Sequence, residues 1–359
     1  MIGAMEPTPY TNEFYQGHHD VSLRSARAIV PLALGLVQPR SVVDVGCGTG
    51  TWLSVFQECG VDDVYGVDGE WVNRKALVIP EDRFLAVDLR RPFQLGRRFD
   101  LAVSLEVGEH LPGECARAFV ASLTRLAPAV LFSAAIPFQG GADHVNEQWP
   151  DYWAERFADE GYAAVDCMRK KVWRDENVEW YYAQNTLMFA SRDCLDRSPA
   201  LQRECERTAT DQLSVVHPRK YLEAIADMRK LLLMAQDLAS VIPSGDTFIL
   251  VDEDSVRREL TLWRAIPFLE RDGRYWGPPL DDITAIREVE RLRRSGARFI
   301  VFAWPAFWWL GHYAGFHRHL RAEFRCRLEN ERLVVFDLES TQAPPPSSPA
   351  APGRGRRAI

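Results

Sequence analysis

The chain has 359 residues, 47% of them hydrophobic and 26% charged, with a formal net charge of -7. That length exceeds what one core usually holds and points to two domains, while the composition excludes wholesale disorder, collagen and coiled coil. The acidic balance excludes general binding to a phosphate backbone, so no nucleic-acid partner is expected.

Helical spacing of Ile29, Leu32, Ala33 and Leu36 predicts a helix over residues 21–36, ended by Pro39. Short apolar runs at 41–45, 64–67, 84–87, 101–105 and 130–135 read as strands covered on both faces. Stretches 52–58, 114–126 and 149–160 carry helical periodicity, and the alternation predicts a doubly wound, mostly parallel α/β sheet. Residues 162–167 and 181–189 read as two further strands, an antiparallel pair that closes one edge and brings the sheet to seven. This first domain spans 1–190. Residues 191–243 then turn amphipathic, with Tyr221, Ile225, Met228 and Leu232 on one face, and are expected to form a helical connector. A smaller α/β domain is expected over 244–338, with strands at 247–251 and 299–302, a helix at 280–292 and a hairpin within 324–336. The tail 339–359, with Pro344, Pro345, Pro346 and Arg354, Arg356, Arg357, has little to bury and is expected to be disordered.

Seven cysteines, at 47, 59, 115, 167, 194, 205 and 326, stand singly without a CxxC pair, which indicates neither a disulfide framework nor a zinc knuckle. Residues 1–10 lack the basic start and apolar run of a secretory signal, and no apolar stretch reaches the roughly 18 residues of a membrane span. A soluble, cytoplasmic protein is expected.

The sharpest motif is Asp44-Val45-Gly46-Cys47-Gly48-Thr49-Gly50, leaving a buried strand and entering a helix. Glycines let a backbone turn sharply and approach a ligand closely, and a helix start offers unpaired N–H groups. A dinucleotide loop needs GxGxxG; here the third glycine comes one place early and Thr51 stands where that pattern wants it, which argues against NAD or flavin.

The acidic strand end followed by GxGxG resembles the class I S-adenosylmethionine-dependent methyltransferases, over about residues 10–190. The resemblance implies a Rossmann-like methyltransferase fold, S-adenosylmethionine as cofactor, and transfer of its methyl to a small-molecule or carbohydrate acceptor, at oxygen. It implies cofactor contacts from Asp44, Gly46, Cys47, Gly48 and Gly50, and a ribose contact from Asp68, followed by Gly69, at the end of the second strand. Asp88 with Leu89 resembles the family's adenine contact, Leu105 and Glu106 the wall beside the methionine, and Trp71 a cover for the adenine face. A carboxylate that accepts two hydroxyl donors explains the residue type at Asp68. The structural alternative for each aspartate is a cap on the next turn.

Two histidines fall where such a sheet delivers its strand ends: His110 in Glu106-Val107-Gly108-Glu109-His110-Leu111, and His144 four residues past Gly140. His144, with Glu147, is the candidate to orient or deprotonate the acceptor, and His110 is either a second catalytic candidate or a loop-ordering residue. Metal ligation by Asp143, His144 and Glu147 lacks a matching carboxylate cluster, and no metal is expected. Tyr10, Phe14, Tyr15, His18 and His19 suit an aromatic lid or an ordinary packed arm. In the second domain Trp263, Trp276, Trp304, Trp308, Trp309, Tyr275 and Tyr313 suit a sugar platform or a core; Asp252-Glu253-Asp254 suits a cation, sugar hydroxyls or a solvated turn. Competing readings are a nucleotide-sugar or NAD-dependent enzyme on the same sheet, and a non-catalytic cofactor-binding module whose tryptophan-rich domain recruits a partner.

Overall fold

A computed structural model describes residues 12–141 and 143–341. The chain divides into two compact units, the break in sequence falling between Leu222 and Glu223. The first contains α1 (Asn12–Val37), β1 (Ser41–Val45), α2 (Thr51–Glu58), β2 (Asp63–Asp68), β3 (Phe84–Ala86), β4 (Leu101–Leu105), α3 (Ala116–Leu126) and β5 (Ala129–Ser133). It continues with α4 (Pro150–Asp159), β6 (Tyr162–Val165), α5 (Arg169–Val172), α6 (Trp180–Asn185), β7 (Leu187–Ser191), α7 (Arg192–Arg197) and α8 (Pro199–Glu206).

Among the described residues these strands form one sheet of order β3-β2-β1-β4-β5-β7-β6. β7 runs antiparallel to both neighbours and the remaining pairs are parallel. This is the Rossmann-like, doubly wound architecture expected from the alternation of runs. The reason is visible strand by strand: Val42, Leu101, Val103 and Leu131 enter one hydrophobic layer, while Val43, Val45, Ala102, Val130 and Phe132 enter the other. With both faces covered, a strand reads as a continuous apolar run. In the second layer Phe157 of α4 stacks on Phe189 of β7, centroids 3.9 Å apart and planes 7° from parallel. Phe157→Ala is expected to cost the first unit about 3–5 kcal/mol, because a fully buried ring leaves a cavity. Urea unfolding followed by circular dichroism measures this; an unchanged midpoint contradicts it.

Two expectations are corrected. Residues 181–189 are not one strand, since 180–185 form α6 and β7 begins only at Leu187. The helix aims Gln184 and Asn185 at buried polar partners, and those hydrogen bonds override the strand preference of the aromatic residues before them. The expected disorder also starts too early, because 339–341 continue a strand of the second unit. The rest of that tail lies outside the described residues, as does Tyr10; Phe14, Tyr15, His18 and His19 fall in α1, with side chains outside the description.

The helix α9 (Pro218–Val241) runs across the break in sequence, its Tyr221, Ile225, Met228 and Leu232 all exposed. The second unit follows with β8 (Thr247–Val251), β9 (Arg264–Pro267), β10 (Glu270–Arg271), β11 (Arg274–Tyr275), α10 (Asp282–Arg294), β12 (Phe299–Ala303), α11 (Trp308–His312), α12 (Ala314–Glu323), β13 (Phe324–Glu329) and β14 (Leu333–Thr341). Its main sheet has the order β13-β14-β12-β8-β9. β9, four residues ending in Pro267, was not foreseen, since the proline interrupts its short apolar run. The aromatic cluster divides: Trp309 and Tyr313 are core, with Trp309 Nε1 donating to Glu253, whereas Trp276 and Trp308 are exposed. Among the described residues no helix is long and apolar enough to cross a membrane.

Within the first unit the strand order reverses at β1, which has β2 on one side and β4 on the other. Loops leaving the carboxyl ends of strands that diverge this way open a crevice.

Candidate active site

The loop after β1 is shaped by three glycines at φ 87° (Gly46), 53° (Gly48) and 90° (Gly50), left-handed values that other residues adopt only with strain. The Gly46 and Cys47 N–H groups both donate to Val67 O, at 2.7 and 3.2 Å, which folds the loop across the end of β2. A Cβ on Gly46 would lie 2.3 Å from Val107 Cγ2, so the loop packs directly on the turn after β4. Gly50 starts α2 without a side-chain cap, and the positive end of the helix dipole faces the loop.

Two acids line this cup. Asp68 closes β2; its Oδ2 accepts the Gly48 N–H at 2.7 Å and its Oδ1 the Gly69 N–H at 2.6 Å. Burial pushes its pKa up to about 6 despite those two bonds. Asp44 is buried with an Oδ2 that accepts no hydrogen bond, and burial followed by the Asp68 charge holds its pKa well above the usual carboxylate range. Cys47 is buried and burial raises its thiol too. The Trp71 ring lies over Gly69, where a Cβ would stand 2.2 Å from it, and Leu89 and Leu105 are buried. Asp88 is different: Arg90 takes one oxygen at 2.8 Å and the other at 3.1 Å, and this pairing holds its pKa below the usual value. The structure brings Asp44, Asp68 and the glycines together but gives the Asp88 carboxylate to its neighbour.

Across Val107 a second polar group assembles. Glu106 takes a left-handed φ of 56° at the end of β4, and its carboxylate accepts from Gln139 Nε2 at 2.8 Å and Asn185 Nδ2 at 3.1 Å. Glu109 is fully buried; backbone groups of Glu109 and Ala135 and the Glu106 carboxyl lie near its oxygens, but none makes a hydrogen bond of good geometry. Burial, then the charge of Glu106, drives its pKa well above the usual value. The rings of His110 and His144 meet edge to face with centroids 4.9 Å apart. His144 Nδ1 lies 2.9 Å from Glu147 Oε1. Glu147 also accepts the Phe138 and Gly140 N–H groups at 2.7 and 2.8 Å. Glu147 thus ties the His144 ring to the backbone at Phe138 and Gly140.

The two loops are joined at one atom, since Glu109 O accepts both the Val145 and Asn146 N–H groups at 2.9 Å. As a result a carboxylate oxygen of Glu109 and a ring nitrogen of each histidine all lie within 4.8 Å of one another. The metal set weighed from sequence does not assemble in this way, because Glu147 sits behind His144 and Asp143 is exposed. Sequence reasoning quoted Glu109 without giving it a role and passed over Gln139 and Asn185. Its one signal was a second glutamate three residues after Glu106 and adjacent to His110.

Residues 17–165 match the family model described as a methyltransferase domain. No curated protein matches the sequence. Among solved structures the chain is similar to DesVI of Streptomyces venezuelae, with 18% identity over 50% of this chain and 96% of that one, at a TM-score of 0.39. It is also similar to CalS10 bound to S-adenosylmethionine, an amino pentose methyltransferase of Micromonospora echinaspora (16% identity, 52% and 99% coverage, TM-score 0.37). A third is the sugar N-methyltransferase KedS8 of a Streptoalloteichus species (16% identity, 54% and 98% coverage, TM-score 0.38).

Proposed function

We propose that the first unit, whose residues 17–165 match a methyltransferase domain, uses S-adenosylmethionine to methylate an oxygen of a small-molecule or carbohydrate acceptor. The observation that carries this reading is the pairing of two sites across Val107: an acid-lined glycine cup on one side and a buried carboxylate with two histidines on the other.

The cup suits the cofactor by its chemistry. Asp68 has acceptor capacity left for ribose hydroxyls beyond its two backbone bonds, and the orphaned Asp44 Oδ2 is a carboxyl oxygen that a cationic ligand would draw toward its ionised form. Trp71 and the buried Leu89 supply apolar surface for a base. S-adenosylmethionine supplies an activated sulfonium methyl, so the chain's task is to hold an acceptor in line with it, reacting atoms about 3 to 3.5 Å apart. Glu106 stands between the two sides with its carboxylate fixed by Gln139 and Asn185. An acceptor hydroxyl is held beside the cluster of Glu109, His110 and His144 and gives up its proton there, with Glu147 fixing the His144 ring.

Mass spectrometry of a cell extract incubated with the protein and methyl-labelled S-adenosylmethionine tests the reading: a labelled small molecule or carbohydrate is expected. Melting curves provide a second check, because only a true ligand stabilises the native state. S-adenosylhomocysteine is expected to raise Tm and NAD to leave it unchanged; the reverse would establish the dinucleotide reading.

A further inference from the structure

We propose that Glu109, His110 and His144, with Glu106 beside them, hold one divalent first-row transition ion, a site that deepens the methyl-transfer reading and rests on it. Three independent features point there. The first is an unmet requirement. Glu109 is fully buried, with only backbone groups of Glu109 and Ala135 and the Glu106 carboxyl close to its oxygens and no hydrogen bond of good geometry to either, so its charge is costly unless a proton or a cation neutralises it. Glu106, the neighbouring acid, adds charge of the same sign, and the cationic side chain acting on Glu106 is His144, itself one of the three donors.

The second feature is the donor set. One carboxylate oxygen and two ring nitrogens converge within 4.8 Å, three ligands with positions left over for water or substrate oxygen. Mixed imidazole and carboxylate donors suit Mn²⁺, Fe²⁺, Co²⁺ or Zn²⁺, whereas Mg²⁺ and Ca²⁺ prefer oxygen alone. The third is what stands behind the donors. Glu147 holds His144 Nδ1 at 2.9 Å and is itself fixed by two backbone N–H groups. A carboxylate behind the outer nitrogen of an imidazole fixes its tautomer and leaves the other nitrogen to a metal.

The chemistry follows from the position beside the cup. A hydroxyl bound to the ion loses its proton to solvent at a lower pH than it otherwise would. Its oxygen then forms a bond to the methyl carbon while the carbon–sulfur bond breaks. The electron pair of that bond stays on sulfur, and neutral S-adenosylhomocysteine leaves. An acceptor with a second oxygen next to the reacting hydroxyl occupies two open positions at once. The chemical class favoured is therefore a vicinal diol or an α-hydroxy carbonyl compound.

The test uses the full chain, stripped with EDTA, dialysed and titrated with MnCl₂ and with ZnCl₂ by calorimetry. One ion per chain at micromolar Kd is expected, with a rise in Tm on loading. Glu109→Gln is expected to weaken ion binding at least about thirtyfold, by removing a charged ligand, and to lose that rise. Its affinity for S-adenosylhomocysteine in metal-free buffer should stay within about threefold of the parent, which also shows that it folds. His144→Ala, at a partly exposed position, should show the same loss and serves if Glu109→Gln fails to fold. Equal ion affinity in a folded variant, or no saturable binding of either ion, overturns the site. S-adenosylhomocysteine binding without ion binding leaves the methyl-transfer reading standing; ion binding without S-adenosylhomocysteine binding supports the site and sinks that reading instead.

Discussion

Asp68→Ala is expected to weaken S-adenosylhomocysteine binding by about a hundredfold or more, close to 3 kcal/mol, the worth of two hydrogen bonds to a charged acceptor. The carboxylate is the only side chain bonded to both the cup, through Gly48 N–H, and the turn after β2, through Gly69 N–H, among the hydrogen bonds described. Its loss removes an acceptor and loosens two loops together. Calorimetry measures the affinity, and a change below about threefold would refute the assignment. The pH dependence of the parent provides an independent arm. Burial raises the folded pKa of Asp68 from 3.8 to about 6, so the carboxylate is protonated below that value. If hydroxyl recognition requires the ionised form, affinity at pH 5 falls about tenfold from that at pH 7.5. The contribution to stability has the opposite sign. The folded state binds this proton more tightly than the unfolded chain, so ionising Asp68 costs stability as pH rises from about 4 to about 6, by about 3 kcal/mol in all. Ligand-free protein gains from acid at this residue while ligand binding loses.

Gly46→Ala is expected to destabilise the first unit by about 2–5 kcal/mol and to abolish S-adenosylhomocysteine binding. Two penalties combine. The φ of 87° is strained for any L side chain, and the new methyl would stand 2.3 Å from Val107 Cγ2 and 2.9 Å from Cγ1. They are separable, because Val107→Ala in the same chain removes the two overlapping methyls, leaving the backbone strain of about 1–2 kcal/mol, a tighter-than-usual contact at 3.2 Å with the Val107 Cβ and the smaller loss of a buried side chain. The double variant should therefore melt above Gly46→Ala. A double variant no more stable than the single one would show that the contact with Val107 is not the origin of the effect.

Local features of this site were legible in the sequence and convergent ones were not. The glycine cup and Asp68 announce themselves because the residues that make them are contiguous, or end a strand whose apolar run is plain. Asp88 could also be read locally, but its ion pair with Arg90, two residues away, was not part of that reading. Glu109 is the contrary case. Nothing about its neighbours in sequence says that it is buried; that follows from the order of β4 and β5 in the sheet, which lays the loop at 143–147 over it. Gln139 and Asn185 reach Glu106 from 33 and 79 residues away in sequence. The helix α6 was hidden for the same reason, since Trp180, Tyr181 and Tyr182 have the composition of a strand and only their tertiary partners decide otherwise.

The loop between β5 and α4 is fastened at its base by Gln148 N–H to Ala135 O, at its tip by Glu147 to Phe138 and Gly140, and along its flank by Glu109 O. In the proposed reading, the described parts of this loop, tied at three places, would meet an acceptor as a wall whose ordering entropy is already spent during folding. On that reading acceptor choice would rest on shape, and exchanging the exposed Phe138, Val145 and Trp149 is expected to change it sooner than lengthening the segment that bears them.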